Sequence, residues 1–462
     1  MIQFTLGEVI KAVNAAEAVN VDPEKRIDGV TSDSRNITVG NLFVPIKGER
    51  VNGHSFVVSC IQNGASASFW AENEPHRPEG VPLIIVKDTV KALQDLAAAY
   101  RQTLKATVIG VTGSSGKTST KDIIASIASV GYRTQKTLGN HNNEIGLPMT
   151  ILSIHEDTQV AVAEMGIDGF GQMDLLGSIA NPDVAVITSI SESHIDMFGS
   201  LENITEQKYK ITEYLRENGL CIYNADTPLL DDYAKAHPIS QRTVSYGLEE
   251  KASFRALTKR FEKDGIHFTT PEFGGYEFHL GLMGDYEVRN ALAGVLCGIS
   301  LGLNAAEIQK GFDGVELTGK REDIEHIGAS TVIDGTYNSN PGSLAETLRM
   351  LGDFPADCPK IAILGDMYGL GEQSAALHAK VGKEVDYRGI DELWTIGQFT
   401  PEIGKYAVKR FPDLVWRHFS SKEELRAEWV KLCEKENFIM AKASRAVELD
   451  IVLQEVRNAY ER

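Results

Sequence analysis

Residues 108–121 read VIGVTGSSGKTSTK, and few folds accommodate that order. The apolar run at 108–111 predicts a buried β-strand. Gly113-Ser114-Ser115-Gly116 ends it, and Lys117-Thr118-Ser119-Thr120 opens a helix that continues as DIIASIASV. A strand, a glycine turn and a helix N-terminus in succession aim backbone N–H groups at one point, where the helix dipole favours an anion. Lys117 adds a positive charge for β- and γ-phosphates, and the Thr118 hydroxyl is placed to meet Mg²⁺. The general spacing G-x-x-x-x-G-K-[ST] would put its first glycine on Val111. The match is therefore the shorter T-G-x-x-G-K-T form, with Thr112, Gly113, Ser114, Ser115, Gly116, Lys117, Thr118 and Ser119 as the candidate nucleotide-binding residues.

At 462 residues the chain is long enough for two or three domains. Three units are expected, at 1–105, 106–318 and 319–462. In the first, helical periodicity runs over 6–18 and 89–104, with short apolar runs at 42–45 and 83–86. In the second, strand-like runs at 108–111, 160–163, 184–187 and 220–223 alternate with helical spacers. That alternation predicts a mostly parallel sheet covered on both faces. In the third, runs at 331–333, 361–364, 393–396 and 438–440 predict a smaller, Rossmann-like doubly wound domain, without a G-x-G-x-x-G dinucleotide fingerprint. The fold class is α/β throughout.

The count of 46 Lys+Arg against 64 Asp+Glu gives a net charge of −18, which repels nucleic acid and anionic membranes. The five cysteines are scattered without C-x-x-C spacing and read as free thiols of a reducing compartment. No apolar run is long enough for a membrane span, and the first residues lack the pattern of a signal peptide, so a cytoplasmic location is expected.

Ligands of parallel sheets bind beyond the carboxyl ends of the strands. Glu164 ends the run VAVAE there, and His194 follows seven residues after Ile187. The polar loop Asn140-His141-Asn142-Asn143-Glu144 follows a strand-like segment at 136–138. Thr118 and Glu164 suit the oxygen preference of Mg²⁺; a histidine is a less usual ligand for so hard a cation.

The strings TGSSGKTSTKD, GNHNNEIGLP, AEMG and SHIDMFGSLENITEQK together resemble the ATP-dependent Mur ligase family. TSDSR, GNLFVPIKGE and NGHSF in the first unit resemble the uridine-nucleotide-binding domain of the MurF type, as does AILGDMYGLGEQSAALHAKVG near the C-terminus. The resemblance covers essentially the whole chain, in three-domain order. It implies an ATP- and Mg²⁺-dependent ligase of peptidoglycan precursor synthesis, a monomer with two small-molecule substrates. ATP activates the carboxylate of a UDP-N-acetylmuramoyl-tripeptide as an acyl phosphate, and the amine of D-alanyl-D-alanine attacks it.

Residue by residue, the resemblance puts Thr118, Glu164 and His194 at the metal sites, with Lys117 among the catalytic groups. Lys208, fourteen residues after His194, falls where the family carries an N-carboxylated lysine; Lys210 is a neighbouring competitor. Asn290 matches the asparagine near the adenine, and Arg321 the arginine that reaches the nucleotide from the C-terminal domain as the domains close. Asp334, Tyr337 and Asn338 match the hinge-proximal nucleotide motif in part. Ser34, Arg35 and Lys47 are implied to contact the uridine diphosphate, and Asn142 and Asn143 the muramoyl-peptide. Lys442, Ser444 and Arg445 fall beside the incoming dipeptide.

Four positions depart from the family pattern. Gly335 stands where an aspartate is usual, and Tyr286-Glu287 replaces the usual pair before Asn290. Thr188-Ser189-Ile190-Ser191 replaces T-N-I-G, and Lys442-Ala443-Ser444-Arg445-Ala446 replaces K-G-S-R-G. These changes leave open a divergent ligase joining another amine, or an ATP-binding homologue without ligase activity.

Overall fold

The computed structural model describes all residues except 263, 320–322 and 462, and the side chain of residue 323. Among the described residues the chain forms four sheets, of five, seven, three and six strands. The five-stranded sheet belongs to the first unit. Its strands Val30–Thr31, Leu42–Phe43, Ala67–Ala71 and Leu83–Val86 run parallel, and Glu17–Val19 joins its edge antiparallel. That edge strand overlaps the end of the helical stretch expected over 6–18. The helix is Leu6–Ala12 only, because Asn14 adopts a left-handed conformation (φ 46) and turns the chain back towards Leu83–Val86.

The seven-stranded sheet is parallel throughout. Its order is Phe254–Arg255, Arg242–Gly247, Leu220–Asn224, Val184–Ile187, Thr107–Thr112, Val160–Glu164, Thr134–Lys136. Successive side chains of a strand point to opposite faces. Ala185 and Ile187 therefore join one buried cluster, while Val184 and Val186 join another across the sheet. Apolar burial on both faces explains why these strands are near-continuous apolar runs in the sequence. From Thr107–Thr112 the chain first builds towards one edge, returns, and crosses to Val184–Ile187 to build towards the other. The crevice at the ends of these strands is the topological switch point, where open α/β sheets bind ligands.

The three-stranded antiparallel sheet, Thr258–Glu262, Gly265–Thr269 and Glu277–Leu280, was not among the sequence expectations. Only one of its faces is buried, so Gly265–Thr269 and Glu277–Leu280 alternate, Thr258–Glu262 is almost wholly exposed, and none shows the continuous apolar run of a parallel strand. In the six-stranded sheet, Ser330–Gly335, Phe438–Lys442, Lys360–Gly365, Glu392–Ile396 and Val415–Phe419 are parallel, and Asp323–Ile327 is antiparallel at the edge.

The phosphate-loop helix Lys117–Ser129 packs on helices Asp285–Ser300 and Ala305–Asp313 through small residues. A Cβ at Gly311 would lie 2.4 Å from Ile127 Cα, a backbone atom that cannot step aside alone. Gly311→Ala should thus lower stability by about 1–3 kcal/mol despite alanine's better helix propensity, through overpacking. Urea denaturation followed by far-UV circular dichroism checks this; an unchanged or raised midpoint would show that the helices can part at no cost.

Candidate active site

The loop after Thr107–Thr112 is clasped to the chain that leaves Val184–Ile187. Ser114 N–H donates to Ser189 O (2.8 Å), and Ser115 N–H to Ser189 Oγ (3.0 Å). Ser114 Oγ donates to Ser191 O and accepts from Ser191 N–H, both at 3.0 Å. Both loop glycines are sterically required. At Gly113 (φ +149) a Cβ would fall 2.0 Å from Thr188 Oγ1, and at Gly116 (φ +82) 2.8 Å from Asn290 Oδ1. Lys117 Nζ folds back over the loop to Gly113 O (2.8 Å) and Ser114 O (3.1 Å).

Thr118 and Glu164 meet behind the loop. Thr118 Oγ1 donates to Glu164 Oε2 (2.9 Å), and Asn142 Nδ2 to Glu164 Oε1 (2.7 Å). Both Thr118 and Glu164 are about 2% exposed. Lys121 Nζ lies 3.8 Å from Glu164 Oε2, buried, and its basicity is lowered by burial against the pull of Asp122 and Glu164. Asp122 also accepts from Thr318 N–H (2.6 Å) and Thr318 Oγ1 (2.9 Å), tying the end of the second unit to the phosphate-loop helix.

His194 takes a left-handed conformation (φ 57) at the start of helix Ile195–Phe198. Burial, and then the charges of Lys117 and Lys208, lower its pKa, which favours the neutral, lone-pair-bearing imidazole. Lys208, on helix Leu201–Tyr209, is buried, and burial drives its pKa well below the ordinary lysine value; Lys117 adds to the shift and Asp168 opposes it. Lys210 differs: its ammonium binds the partly exposed Asp174 carboxylate at 2.9 Å. Of the two lysines, only Lys208 faces inward.

Thr118, Glu164 and His194 border a polar cavity of about 460 Å³ between the second and third units, within the usual range for small-ligand sites; Lys208 is buried and does not line it. The third unit is fastened to the phosphate loop itself. Asn340 caps helix Pro341–Asp353, its Nδ2 donates to Ser115 Oγ (3.0 Å), and its Oδ1 accepts from Ser191 Oγ (3.3 Å). Arg289 pairs with Glu346, and Lys380 Nζ donates to Glu192 Oε1 (2.8 Å).

The structure gathers most of the expected residues at this cavity, but not all. Ser114 to Ser119, Asn142, Asn143, Glu164, His194, Asn290, Tyr337, Asn338 and Lys442 line it. Thr112 is fully buried beneath the loop, and Gly113 shapes the turn without lining the cavity. Asp334 does not replace the missing aspartate: it faces away, held by Arg457 Nη2 (2.8 Å), Thr336 N–H and Thr336 Oγ1. Gly335 is demanded by its own sheet, since a Cβ there would come within 2.9 Å of Ala441 O. Ser444 is buried away from the cavity, donating to Ser339 O and accepting from Tyr368 N–H. Arg445 lies near the Tyr337 ring, 5.8 Å from its centroid. Ser34, Arg35 and Lys47 lie on the first unit outside this cavity, Arg35 paired with Asp33 and Lys47 with Glu74. Arg321 lies outside the described residues.

Two features had weak signals in the sequence. Glu287, a departure from the family pattern, is buried and accepts from Asn290 Nδ2 (3.0 Å), while Asn290 Oδ1 accepts from Thr120 Oγ1 (3.0 Å). It thus orients the asparagine. Asn340 had gone unnoticed, although Asn-Pro before an apolar-periodic stretch is a helix-start signal.

Family models match in sequence order: the Mur ligase family catalytic domain over 26–101, the Mur ligase middle domain over 111–298, and the Mur ligase glutamate ligase domain over 320–445. The UDP-N-acetylmuramoyl-tripeptide–D-alanyl-D-alanine ligase of Bacillus subtilis is 36% identical over 459 residues, covering 99% of each chain. The chain belongs to the Mur ligase family. Within the Mur ligases it groups with the MurF type. The ligase of the same name from Escherichia coli is 32% identical over 464 residues, with 98% of each chain covered. A crystal structure of MurF from Acinetobacter baumannii superposes with a TM-score of 0.89 at 27% identity, covering 99% of each chain. MurF from Thermotoga maritima in complex with ADP gives 0.81 at 26% identity, covering 94% of this chain and 98% of that one. As a Mur ligase, the chain is an ATP-dependent amide ligase.

The buried Lys208 gives a pH-dependent expectation. Its folded pKa lies below the unfolded value of 10.5, so the folded state resists the ammonium form. The destabilisation is complete below the folded pKa and fades as pH rises through it towards 10.5. In CO₂-depleted buffer, Lys208→Met should therefore raise the urea midpoint at neutral pH, and its advantage over wild type should shrink in alkali. A gap that stays constant with pH would contradict a buried, weakly basic Lys208.

Proposed function

We propose that this Mur ligase joins D-alanyl-D-alanine to the terminal carboxyl group of UDP-N-acetylmuramoyl-tripeptide in peptidoglycan precursor synthesis, converting ATP to ADP and phosphate. The observation that carries this reading is the buried Thr118–Glu164 pair directly behind a phosphate loop, in a chain of which the whole length aligns with ligases of that name. A tripeptide carboxylate oxygen attacks the γ-phosphorus and ADP departs, leaving an acyl phosphate. The dipeptide amine, after losing a proton, attacks the acyl carbon. The tetrahedral adduct collapses to the amide as phosphate leaves. Phosphoryl transfer of this kind depends on alignment and charge neutralisation, which the loop N–H groups and Lys117 supply at the triphosphate.

The donor set fits Mg²⁺. Thr118 and Glu164 offer hard oxygen ligands, and His194 a neutral ring nitrogen. Mg²⁺ bound by these residues, and by Lys208 as its carbamate, supplies further neutralisation of phosphate charge. Carbamate formation adds CO₂ to a neutral amine with loss of one proton, and the burial of Lys208 favours that neutral amine. In this reading Asn290, held by Glu287, lies near the adenine. Tyr337, Asn338 and Arg321 approach the nucleotide from the third unit. Ser34, Arg35 and Lys47 bind the uridine diphosphate; Asn142 and Asn143 face the muramoyl-peptide; Lys442, and Arg445 beside Tyr337, flank the dipeptide. The three units correspond to domains at 1–105, 106–318 and 319–462, the last closing over ATP. The enzyme works as a cytoplasmic monomer; among the described residues no helix is long and apolar enough to cross a membrane.

Phosphate release from ATP, assayed with the UDP-muramoyl-tripeptide and a panel of dipeptides, tests the assignment. D-alanyl-D-alanine should support amide formation, and Lys117→Ala should abolish it without unfolding the chain. Amide formation with a different amine and none with D-alanyl-D-alanine would refute the acceptor. Lys208→Ala should lose activity and regain part of it with formate or acetate; full activity in the unrescued variant would remove the carbamate.

A further inference from the structure

The three-stranded antiparallel sheet carries a cluster of titratable groups that the ligase reading does not use. Its inner face is apolar: Ile266, Phe268, Phe278 and Leu280 are all buried in the core shared with the phosphate-loop helix. The two-residue period of a strand then forces His267 and His279 to the outer face. The register sets them directly opposite one another, with ring centroids 4.6 Å apart. Asp264, in the turn before Gly265, reaches both. Its Oδ1 lies 3.3 Å from His267 Nε2, and its Oδ2 lies 3.6 Å from His279 Nε2. One ligand atom from each of the three residues lies within 4.8 Å of the other two.

The two histidine-to-carboxylate distances, one to each Asp264 oxygen, are close to those a metal imposes. Zn²⁺ bound tetrahedrally at about 2.0–2.2 Å holds its ligand atoms about 3.3–3.6 Å apart. The surroundings also hold the groups in place. At Gly265 (φ +137) a Cβ would fall 2.2 Å from Leu280 O, so the third strand presses against the turn that carries Asp264. Behind His267, Glu277 Oε2 lies 3.8 Å from Nδ1. That is beyond hydrogen-bond distance, but a carboxylate on this side of the ring favours the proton on Nδ1 and leaves the Nε2 lone pair towards Asp264, an arrangement common among metal-bound histidines. Glu277 is itself held by the Arg260 guanidinium, with Nη2 donating to Oε2 at 2.9 Å.

We propose that Asp264, His267 and His279 form a binding site for Zn²⁺ outside the catalytic cleft, tying the three strands of the small sheet together. Two imidazoles and one carboxylate suit a borderline transition-metal dication and not Mg²⁺ or Ca²⁺. Three protein ligands leave the fourth position to water. On binding, His279 exchanges its present hydrogen bond to the Asp264 carbonyl oxygen (3.0 Å) for the metal and carries its ring proton on Nδ1. None of the three residues borders the ligase cavity. The site therefore stands or falls separately from the ligase assignment.

The test uses the full chain, stripped with a chelator and then held in saturating Mg²⁺ so that the catalytic cleft is not a Zn²⁺ trap. Calorimetric titration with Zn²⁺ should show one tight equivalent. The His267→Ala/His279→Ala double variant should lose it, and His194→Ala should keep it. Glu277→Gln should weaken binding by up to roughly tenfold, by removing the carboxylate charge beside the His267 ring. Co²⁺ should give the intense visible bands of a four-coordinate ion in wild type. Asp264→Asn, a change on an exposed turn that leaves the core intact, should abolish them. Circular dichroism confirms that each variant is folded, and retained ligase activity does so for the variants of the small sheet. The absence of a Zn²⁺ equivalent in wild type, or an equivalent that survives the double variant or Asp264→Asn, would overturn the site.

Discussion

The grip of the phosphate loop on the chain after the neighbouring strand is the contact on which the rest of the site depends. Ser114 and Ser115 bind Ser189 and Ser191 through main-chain and hydroxyl groups, in a space that admits no Cβ at Gly113. That grip fixes where the helix Lys117–Ser129 begins, and so where Lys117 and Thr118 stand. It also sets the separation of two strand ends, one bearing Glu164 and the other leading to His194. Asn340 then docks on the same place, bonding both Ser115 and Ser191. A single packed turn thus serves as the base of the phosphate cradle and as the footing of the third unit.

Electrostatically the site is prepared for an anion. The chain carries −18 overall, yet Lys117, Lys121, Lys208, Arg289 and Lys442 converge on or behind one cavity. Burial is costly for an ammonium without full compensation. Lys121 has Asp122 and Glu164 for this, and its basicity still falls; Lys208 falls further, with only Asp168 opposing the shift. Glu164, Asp168, Glu287 and Glu346 line the same cavity, so the cations offset carboxylates overall and meet a phosphate locally, at Lys117 and the loop N–H groups.

The parallel strands were legible in the sequence because burial on both faces made each an apolar run, and 184–187 appears in the fold at those limits. The small antiparallel sheet was not, because one wet face halves the apolar signal in strands such as Gly265–Thr269, and Thr258–Glu262 is exposed over nearly its whole length. The first helix was overextended because periodicity cannot register the left-handed Asn14. At the site, the loop residues and Glu164 were readable from local order, since a strand end and a helix start fix them. Asp334 was misplaced by one position's worth of alternation: adjacent residues of a strand face opposite sides, so an aspartate beside Gly335 points to Arg457 and not to the cavity. Glu287 is only a departure from the family pattern in the sequence, and in the fold it orients Asn290. Its partner was three residues away, but the value of that contact depended on Thr120, far off in sequence.

The central claim is that the cradle activates a carboxylate by phosphorylating it. Labelling the terminal tripeptide carboxylate with ¹⁸O tests this most directly, because one carboxylate oxygen becomes the C–O–P bridge of the acyl phosphate and leaves with phosphate when the amine attacks, while the other stays in the amide. Mass spectrometry of the released phosphate should find one ¹⁸O for each amide formed. Phosphate without label, or label recovered in a nucleotide, would contradict the account.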